Sequence, residues 1–269
     1  MATFQIEMFS TMLKRLVPLT VILPVEKPDI PGMPKTEDKP FKTIYLLHGY
    51  SGSNNDWLYG SRIATLAMRH NVAVVMPSGG NSFYLDDEVR GEYMEKYITE
   101  ELVSFTRKVF PLSMKKEDTT IGGLSMGGYG ALHSALKRPD VFGWVYALSS
   151  AFITDQVAQM KESDPNPIAP YSYYLHWFGE PATVLGSDKD PKALAKTLKD
   201  RSAELPRIYM ACGTEDFLLD RNRSMDQYLT KIGVAHEYLE SKGVHDWAFW
   251  DEYIEKAMEW QYGKPSMGM

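Results

Sequence analysis

The sequence predicts an α/β fold in which a mostly parallel central sheet is covered by helices on both faces. Short apolar runs alternate with longer segments of helical periodicity, and each run is long enough to form a buried strand. Gly- and Pro-containing loops separate these segments. In folds of this kind, ligands bind beyond the carboxyl ends of the strands. We therefore expect the functional residues in loops that directly follow strands.

Two antiparallel strands are expected at 3–10 and 16–23, because the first alternates and the second is rich in apolar and β-branched residues. A Pro- and Lys-rich loop at 26–40 follows and is expected to be exposed. The predicted parallel strands lie at 43–47, 72–76, 119–122, 145–148, 208–211 and 236–239. The predicted helices lie at 61–69, 93–110, 126–137, 191–202, 220–231 and 247–261.

The segment 152–190 interrupts this alternation. It contains four prolines and a dense group of aromatic residues. We interpret it as a cap-like insertion over the strand ends, and an ordinary packed connection is an equally good alternative. The whole chain, 1–269, is expected to form a single domain, since undivided α/β folds often reach this length.

The charge and composition exclude several classes of protein. The net charge of −6 argues against nucleic-acid binding, which requires patches of Lys and Arg. No apolar stretch approaches the roughly 20 residues that cross a bilayer, and the apolar run 16–25 is broken by prolines, unlike a signal peptide. Cys212 is the single cysteine, so no intramolecular disulfide can form. We expect a cytoplasmic protein, and a homo-oligomer is compatible with the sequence.

The strongest chemical signal is the sequence GLSMG at 123–127, which lies between a predicted strand and a predicted helix. A serine at such a turn has strained backbone geometry and an exposed hydroxyl, and the glycines allow close packing. The helix start also stabilises negative charge that develops beside Ser125. The alternative is a glycine-rich turn that contains serine by chance. We predict that Ser125 is a nucleophile.

A serine nucleophile requires a histidine base and an acid that orients it. In this fold the chain order is serine, acid, histidine. His245 fits best, because it follows the last predicted strand and precedes the final helix. Asp216, after the strand 208–211, is the chosen acid, with Glu215 and Asp220 as competitors. The other downstream histidines fit less well, because they lie on a helix, in the insertion and in a strand: His133, His176 and His236.

Acyl transfer also requires hydrogen-bond donors for the oxyanion. The amide of Met126, directly after the nucleophile, is one expected donor, and the amide of Tyr50, in the loop after the first parallel strand, is the other. His48 is interpreted as holding that loop and not as a base. This chemistry requires no metal and no cofactor. Core packing is an equal alternative for each of the aromatic residues that we predict to contact substrate: Trp57, Phe83, Tyr84, Trp177 and Trp247.

Taken together, these residues resemble the esterase D-like branch of the α/β-hydrolase fold, and within it the bacterial tributyrin esterase and feruloyl-acetyl esterase type. The resemblance spans nearly the whole chain. It rests on LLHG at 46–49 with Trp57 downstream, NSFY at 81–84, YITEEL at 97–102, GLSMGGYGA at 123–131 and GVHDW at 243–247. It implies a carboxylesterase for short acyl chains, acetyl or feruloyl esters among them. It also implies the triad Ser125, Asp216 and His245, with oxyanion amides at Tyr50 and Met126.

Two other functions stay open beside a small-molecule ester hydrolase. S-formylglutathione hydrolases belong to a related branch, but they usually carry a histidine before the nucleophile and a cysteine in the loop after His-Gly. Leu124 and the sequence YSG at 50–52 occupy those places here, which weakens the thioesterase hypothesis. The third hypothesis is a non-catalytic protein of the same fold that binds a glycan or partner through the aromatic insertion.

Overall fold

The computed structural model describes residues 1–25 and 39–265. Most of the predicted exposed loop at 26–40 lies outside the described residues, while its last two positions, 39 and 40, are exposed. None of the described helices is long and apolar enough to cross a membrane.

Eight strands form one mixed sheet in the order β1-β2-β4-β3-β7-β8-β9-β10. β1 pairs antiparallel with β2, β2 pairs antiparallel with β4, and every other neighbouring pair in this sheet is parallel. The predicted, mostly parallel sheet is therefore confirmed. Its strands are β1 (Ala2–Ser10), β2 (Arg15–Leu23), β3 (Lys42–Leu47), β4 (Val72–Pro77), β7 (Thr119–Leu124), β8 (Trp144–Leu148), β9 (Arg207–Gly213) and β10 (His236–Ser241). A separate two-stranded ribbon, which the sequence did not predict, consists of β5 (Asp86–Asp87) and β6 (Glu92–Tyr93).

The helices follow the predicted alternation with strands. The segment predicted as a helix at 93–110 continues from α3 through a π-helical turn, Tyr97–Glu101, into α4, and residue 93 belongs to β6. A short 3₁₀ turn at Lys116–Asp118 precedes β7. The α-helices are α1 (Asp56–Gly60), α2 (Ile63–His70), α3 (Met94–Lys96), α4 (Leu102–Val109), α5 (Met126–Lys137), α6 (Thr154–Val157), α7 (Tyr171–Phe178), α8 (Pro181–Val184), α9 (Pro191–Asp200), α10 (Leu219–Lys231) and α11 (Trp247–Tyr262).

The two faces of the sheet carry two separate buried cores. Because successive side chains of a strand point to opposite faces, Tyr45 and Leu47 of β3 pack in one core, while Ile44 and Leu46 pack in the other. Helix α5 covers the first face, and helices α2 and α11 cover the second. This two-sided burial explains why the central strands are continuous apolar runs.

The parallel register brings the carboxyl ends of four strands to one edge of the sheet. Leu47 of β3 pairs with Gly123 of β7, Leu124 pairs with Leu148 of β8, and Leu148 pairs with Ala211 of β9. The loops after these strands therefore meet at one place, as the sequence predicts for the functional residues.

The segment 152–190 contains three short helices, α6, α7 and α8. Helix α7 begins directly after Pro170, and its Tyr174 and Phe178 are buried. The ring of Phe178 lies 5.0 Å from that of Phe83 and 5.8 Å from that of Tyr129. The aromatic group of this segment thus packs on the α5 side of the sheet through a helix that the sequence reading did not identify.

Candidate active site

Ser125 occupies a strained turn between β7 and α5. Its φ of 55° and ψ of −119° are unfavourable for a residue with a side chain. The amide of Ser125 donates to the carbonyl of Leu148 at 2.9 Å, and its carbonyl accepts from the amide of Ala151 at 2.9 Å. These bonds to β8 and to the loop after it hold the strained residue in place, as is typical of functional turns.

The two glycines of GLSMG, Gly123 and Gly127, are required because main-chain atoms lie where a Cβ atom would be. A Cβ atom on Gly127 would lie 2.5 Å from the carbonyl oxygen of Leu47, and one on Gly123 would lie 2.4 Å from the carbonyl carbon of Gly127. Only glycine allows α5 to begin so close to the end of β3. This contact between helix and strand brings the loop after β3 beside Ser125.

His245 and Asp216 form a partly buried hydrogen-bonded pair. The Nδ1 atom of His245 lies 2.8 Å from Oδ2 of Asp216, whose side chain is fully shielded from solvent. A carboxylate can only accept, so Nδ1 carries the proton and Nε2 of a neutral imidazole is left free to act as a base. Asp216 follows β9, and His245 lies between β10 and α11, as the chain order predicts.

The environment of Asp216 keeps the carboxylate ionised. Burial alone would raise its pKa, but the hydrogen bond from His245 and the hydrogen bond from the amide of Leu218, at 2.8 Å, lower the pKa below its ordinary value. The competing acid Glu215 is exposed. Asp216 is therefore suited to fixing the tautomer and orientation of the imidazole.

Two aromatic rings that the sequence reading did not select hold the imidazole of His245. The ring centroid of Phe217 lies 4.6 Å from that of His245, and the ring of Trp250 lies 4.9 Å away, edge to face. Phe217 directly follows Asp216 in the sequence, and this position is the signal that could have identified it as a residue of the site.

His48 fixes the loop that carries Tyr50. Its Nδ1 atom donates to the carbonyl of Gly49 at 2.7 Å, and its Nε2 atom accepts from the amide of Gly79 at 2.8 Å. Burial lowers the pKa of His48, so the ring stays neutral and can do both. The hydroxyl of Tyr84 also donates to the carbonyl of His48 at 2.9 Å. His48 thus has the geometry of a loop anchor.

The anchored loop lies against the nucleophile. A Cβ atom on Gly49 would be 3.5 Å from the Cβ of Ser125. Met126 is the first residue of α5, so its amide has no acceptor within that helix. The two predicted oxyanion donors, Tyr50 and Met126, line the same cavity as Ser125.

That cavity, which we call the Ser125 pocket, has a volume of about 230 Å³. Ser125 lines it together with residues from the loops after β3 and β4, the segment 152–190 and the start of α10. The lining residues are Tyr50, Phe83, Ser125, Met126, Ala151, Ile153, Gln156, Pro165, Asn166, Pro167, Ile168, Tyr173, Tyr174, Phe217, Leu218 and Arg221.

Of the five aromatic residues predicted to contact substrate, Phe83 lines the Ser125 pocket, and the other four lie outside its lining. Trp57 is buried in the opposite core, where its Nε1 donates to the carbonyl of Leu47 and its ring packs against Trp247 at 5.3 Å. Tyr84 is fully buried behind His48. Trp177 packs beside His176 on α7, with ring centroids 4.8 Å apart. These aromatic residues serve packing, the alternative that the sequence left open.

The remaining downstream histidines have other partners. Each makes a polar contact with a different element, and none lines the Ser125 pocket. His133 bonds the carbonyl of Asp188 at 2.8 Å, His176 meets the carboxylate of Asp87 at 2.9 Å, and His236 meets that of Asp226 at 2.8 Å. Over residues 1–25 and 39–265, no group of three or more His, Cys, Asp and Glu side chains is arranged to hold a metal ion.

Asn222, on α10, ties the nucleophile turn to the acid loop. Its Oδ1 accepts from the amide of Ser150 at 3.1 Å, while its Nδ2 donates to the carbonyls of Ser150 and Leu218 at 3.0 and 2.9 Å. Leu218 donates to Asp216, and the residue after Ser150 donates to Ser125. Asn222 is fully buried, and its amide matches the donors and acceptors around it.

Replacing Asn222 with leucine is expected to lower the free energy of unfolding by about 1–3 kcal/mol, because the buried amide of Ser150 loses its acceptor. The carbonyls of Ser150 and Leu218 keep other donors. Urea denaturation of the variant measures the loss. Gln227→Leu, at an exposed position of the same helix, is the control and should change stability by less than about 0.5 kcal/mol. Equal losses in the two variants would contradict this account.

Comparison with known proteins identifies the family of this chain. Residues 10–260 match the Esterase family model, described as "Putative esterase". An acetyl esterase of Caldicellulosiruptor saccharolyticus is 48% identical over 260 residues, covering 97% of this chain and 98% of that protein.

Two solved structures from Staphylococcus aureus have the same fold. The fluorophosphonate-binding serine hydrolase FphF is 30% identical with a TM-score of 0.84, covering 98% of this chain and 99% of that one. The S-formylglutathione hydrolase FrmB is 29% identical with a TM-score of 0.80, covering 97% and 98%. The chain therefore belongs to the esterase family of the α/β-hydrolase fold and is a hydrolase of carboxylic esters.

Proposed function

We propose that this protein is a serine carboxylesterase that hydrolyses short-chain acyl esters through an acyl-enzyme. The observation that carries the proposal is the His245–Asp216 pair at 2.8 Å, in the same group of strand-end loops as the strained Ser125. The acetyl esterase that is 48% identical supports it.

The proposed mechanism uses five residues. His245 takes the proton of Ser125 as the hydroxyl attacks the ester carbonyl, and the amides of Tyr50 and Met126 bind the resulting oxyanion. Each oxyanion donor contributes about 3 kcal/mol to transition-state stabilisation. His245 then protonates the leaving alcohol and activates the water that hydrolyses the acyl-enzyme. Asp216 keeps the tautomer of His245 and stabilises the imidazolium.

The dimensions of the Ser125 pocket support a short acyl group. Its volume of about 230 Å³ lies below the roughly 300–1,000 Å³ of sites that enclose drug-sized ligands. Aliphatic and aromatic side chains form most of its wall. An acetyl ester suits such a site, and a feruloyl or octanoyl ester would require the segment 152–190 to move. We propose that this segment acts as a cap on one domain formed by the whole chain.

The proposal also covers compartment and partners. The lone cysteine, Cys212, is buried, and burial raises its pKa to about 12, so its thiol is protonated and unreactive. A protein without disulfides suits the reducing cytoplasm, where we place it. Its partner in this function is a small ester.

A fluorophosphonate probe combined with a panel of esters tests the proposed function. We expect stoichiometric labelling of Ser125, located by peptide mass spectrometry, and faster hydrolysis of 4-nitrophenyl acetate and butyrate than of the octanoyl and feruloyl esters. Cleavage of S-formylglutathione far faster than every oxygen ester would support the thioesterase hypothesis instead. Absence of labelling and of hydrolysis would support the binding-protein hypothesis.

A further inference from the structure

One charged side chain lines an otherwise uncharged pocket. Among the described residues around the Ser125 pocket, Arg221 alone carries a charge. The rest of the wall is apolar, aromatic or neutral polar. A guanidinium stays protonated at any physiological pH, so the pocket carries a positive charge in a chain whose net charge is −6.

Arg221 has no anionic partner within ion-pair distance among the residues that the structure describes. Its Nη2 donates to the neutral side-chain oxygen of Gln156 at 2.9 Å. Arg223, two residues later on α10, instead meets the carboxylate of Glu240 at 2.7 Å. Arg221 therefore keeps an uncompensated charge and most of its five N–H donors for another acceptor.

We infer that Arg221 binds a carboxylate of the substrate, so that the preferred substrates are esters carrying a carboxylate in addition to the ester group. Arginine binds carboxylates through two parallel hydrogen bonds, which fixes orientation as well as charge. This inference rests on the proposed function, because it places the substrate in the pocket of Ser125. It specifies the chemical class of the substrate, which the fold and the nucleophile alone do not determine.

The position of Arg221 indicates which part of the ester carries the carboxylate. Arg221 and Phe217 line the part of the pocket wall that comes from residues 217–221, and the ring of Phe217 contacts His245. In the proposed mechanism His245 protonates the leaving alcohol, so this wall faces the alcohol part. The substrates are therefore acylated hydroxy acids, which release a hydroxycarboxylate.

The pocket has room for such an alcohol. A neighbouring cavity of about 220 Å³ shares Gln156, Pro165 and Asn166 with the Ser125 pocket. Gln156 is also the side chain that bonds Arg221, so the guanidinium is hydrogen-bonded to a residue that lines both cavities. The carboxylate of Asp164 lines the second cavity and accepts from the amide of Lys161 at 2.8 Å.

Matched pairs of esters test this inference. 4-Acetoxybenzoate and its methyl ester differ in one charge on the alcohol part, and mono-4-nitrophenyl succinate and its methyl ester differ in one charge on the acyl part. For each pair, the ratio of kcat/KM for the anionic and the neutral ester is measured in the native enzyme and in Arg221→Gln. Because each ratio is compared between enzymes, the intrinsic reactivities of the esters cancel.

We expect Arg221→Gln to lower the acetoxybenzoate ratio by about 10- to 100-fold, the effect of removing a hydrogen-bonded charge partner. Arg221→Lys, which keeps the positive charge, should retain more of the ratio. Arg223→Gln, on the same helix but outside the pocket, is the matched control and should leave the ratio unchanged. Raising the salt concentration should lower the ratio in the native enzyme and in Arg223→Gln, but not in Arg221→Gln.

An unchanged ratio in Arg221→Gln, or an equal fall in Arg223→Gln, would overturn the inference. A fall confined to the succinate pair would overturn the placement of the carboxylate on the alcohol. In each of these cases the native enzyme still hydrolyses neutral acetyl esters, so the proposed function stands. Failure of the native enzyme to hydrolyse any ester or to react with a fluorophosphonate would instead refute the proposed function.

Discussion

Replacing Ser125 with alanine is expected to lower kcat for 4-nitrophenyl acetate by about 10⁴- to 10⁶-fold, because no other group can form the acyl-enzyme. The oxyanion amides and the pocket remain in the variant and should leave a small residual rate above that of water. Steady-state hydrolysis, with the native enzyme at matched folded concentration, measures the effect. The strained backbone at this position should be retained, since Ser125 is held by main-chain bonds to Leu148 and Ala151.

Ser134→Ala is the matched control, because Ser134 is a buried serine on α5, the helix that follows Ser125, and its hydroxyl has no hydrogen-bond partner among the described residues. Removing that hydroxyl should leave kcat within about twofold of the native value and should not lower stability, since no bond is lost. A folded Ser125→Ala enzyme that keeps more than a few percent of native activity would refute the nucleophile assignment.

The sequence was sufficient to predict the order of the eight main-sheet strands and of the longer helices, and the loops that carry the chemistry. Helix α5 spans Met126–Lys137, the predicted range, because the periodic apolar residues and the glycines that flank Ser125 leave little choice of boundary. The central strands were recognisable because burial on both faces makes them continuous apolar runs. Loops after parallel strands must meet at one edge, so chain order alone brought Asp216 and His245 together as candidates.

The contents of the pocket could not be predicted, because apolar aromatic residues have the same sequence signature in a core and in a binding site. Trp57 and Trp247 pack against each other on the side of the sheet that α2 and α11 cover, while Phe217, which was not selected, contacts the imidazole of His245. Helix α7 was hidden by prolines at both of its flanks. Arg221 has no motif of its own, and its position becomes evident only once α10 and the segment 152–190 come together.

Replacing Asp216 with asparagine is expected to lower kcat by on the order of 10⁴-fold while the fold is retained. The carboxylate accepts the Nδ1 proton of His245, whereas an amide can donate to Nδ1 and so favours the tautomer protonated at Nε2. That tautomer cannot take the proton of Ser125. Asp226→Asn is the control, because Asp226 also contacts a histidine, His236, at 2.8 Å, but outside the pocket. The kcat of this variant should stay near the native value.

The dependence of the free energy of unfolding on pH, in the acidic range, distinguishes the pairing of Asp216 with His245 from a general loss of folding. The pKa of Asp216 is lower in the folded chain than its ordinary value of about 3.9, so its ionised form stabilises the fold. That stabilisation is fully present above pH 4 to 5 and is lost as the pH falls through the lowered pKa. The difference in unfolding free energy between the native enzyme and Asp216→Asn should therefore narrow as the solution is acidified. If the difference stays constant down to pH 2, or if kcat falls equally in Asp226→Asn, the pairing of Asp216 with His245 is not the source of the effect.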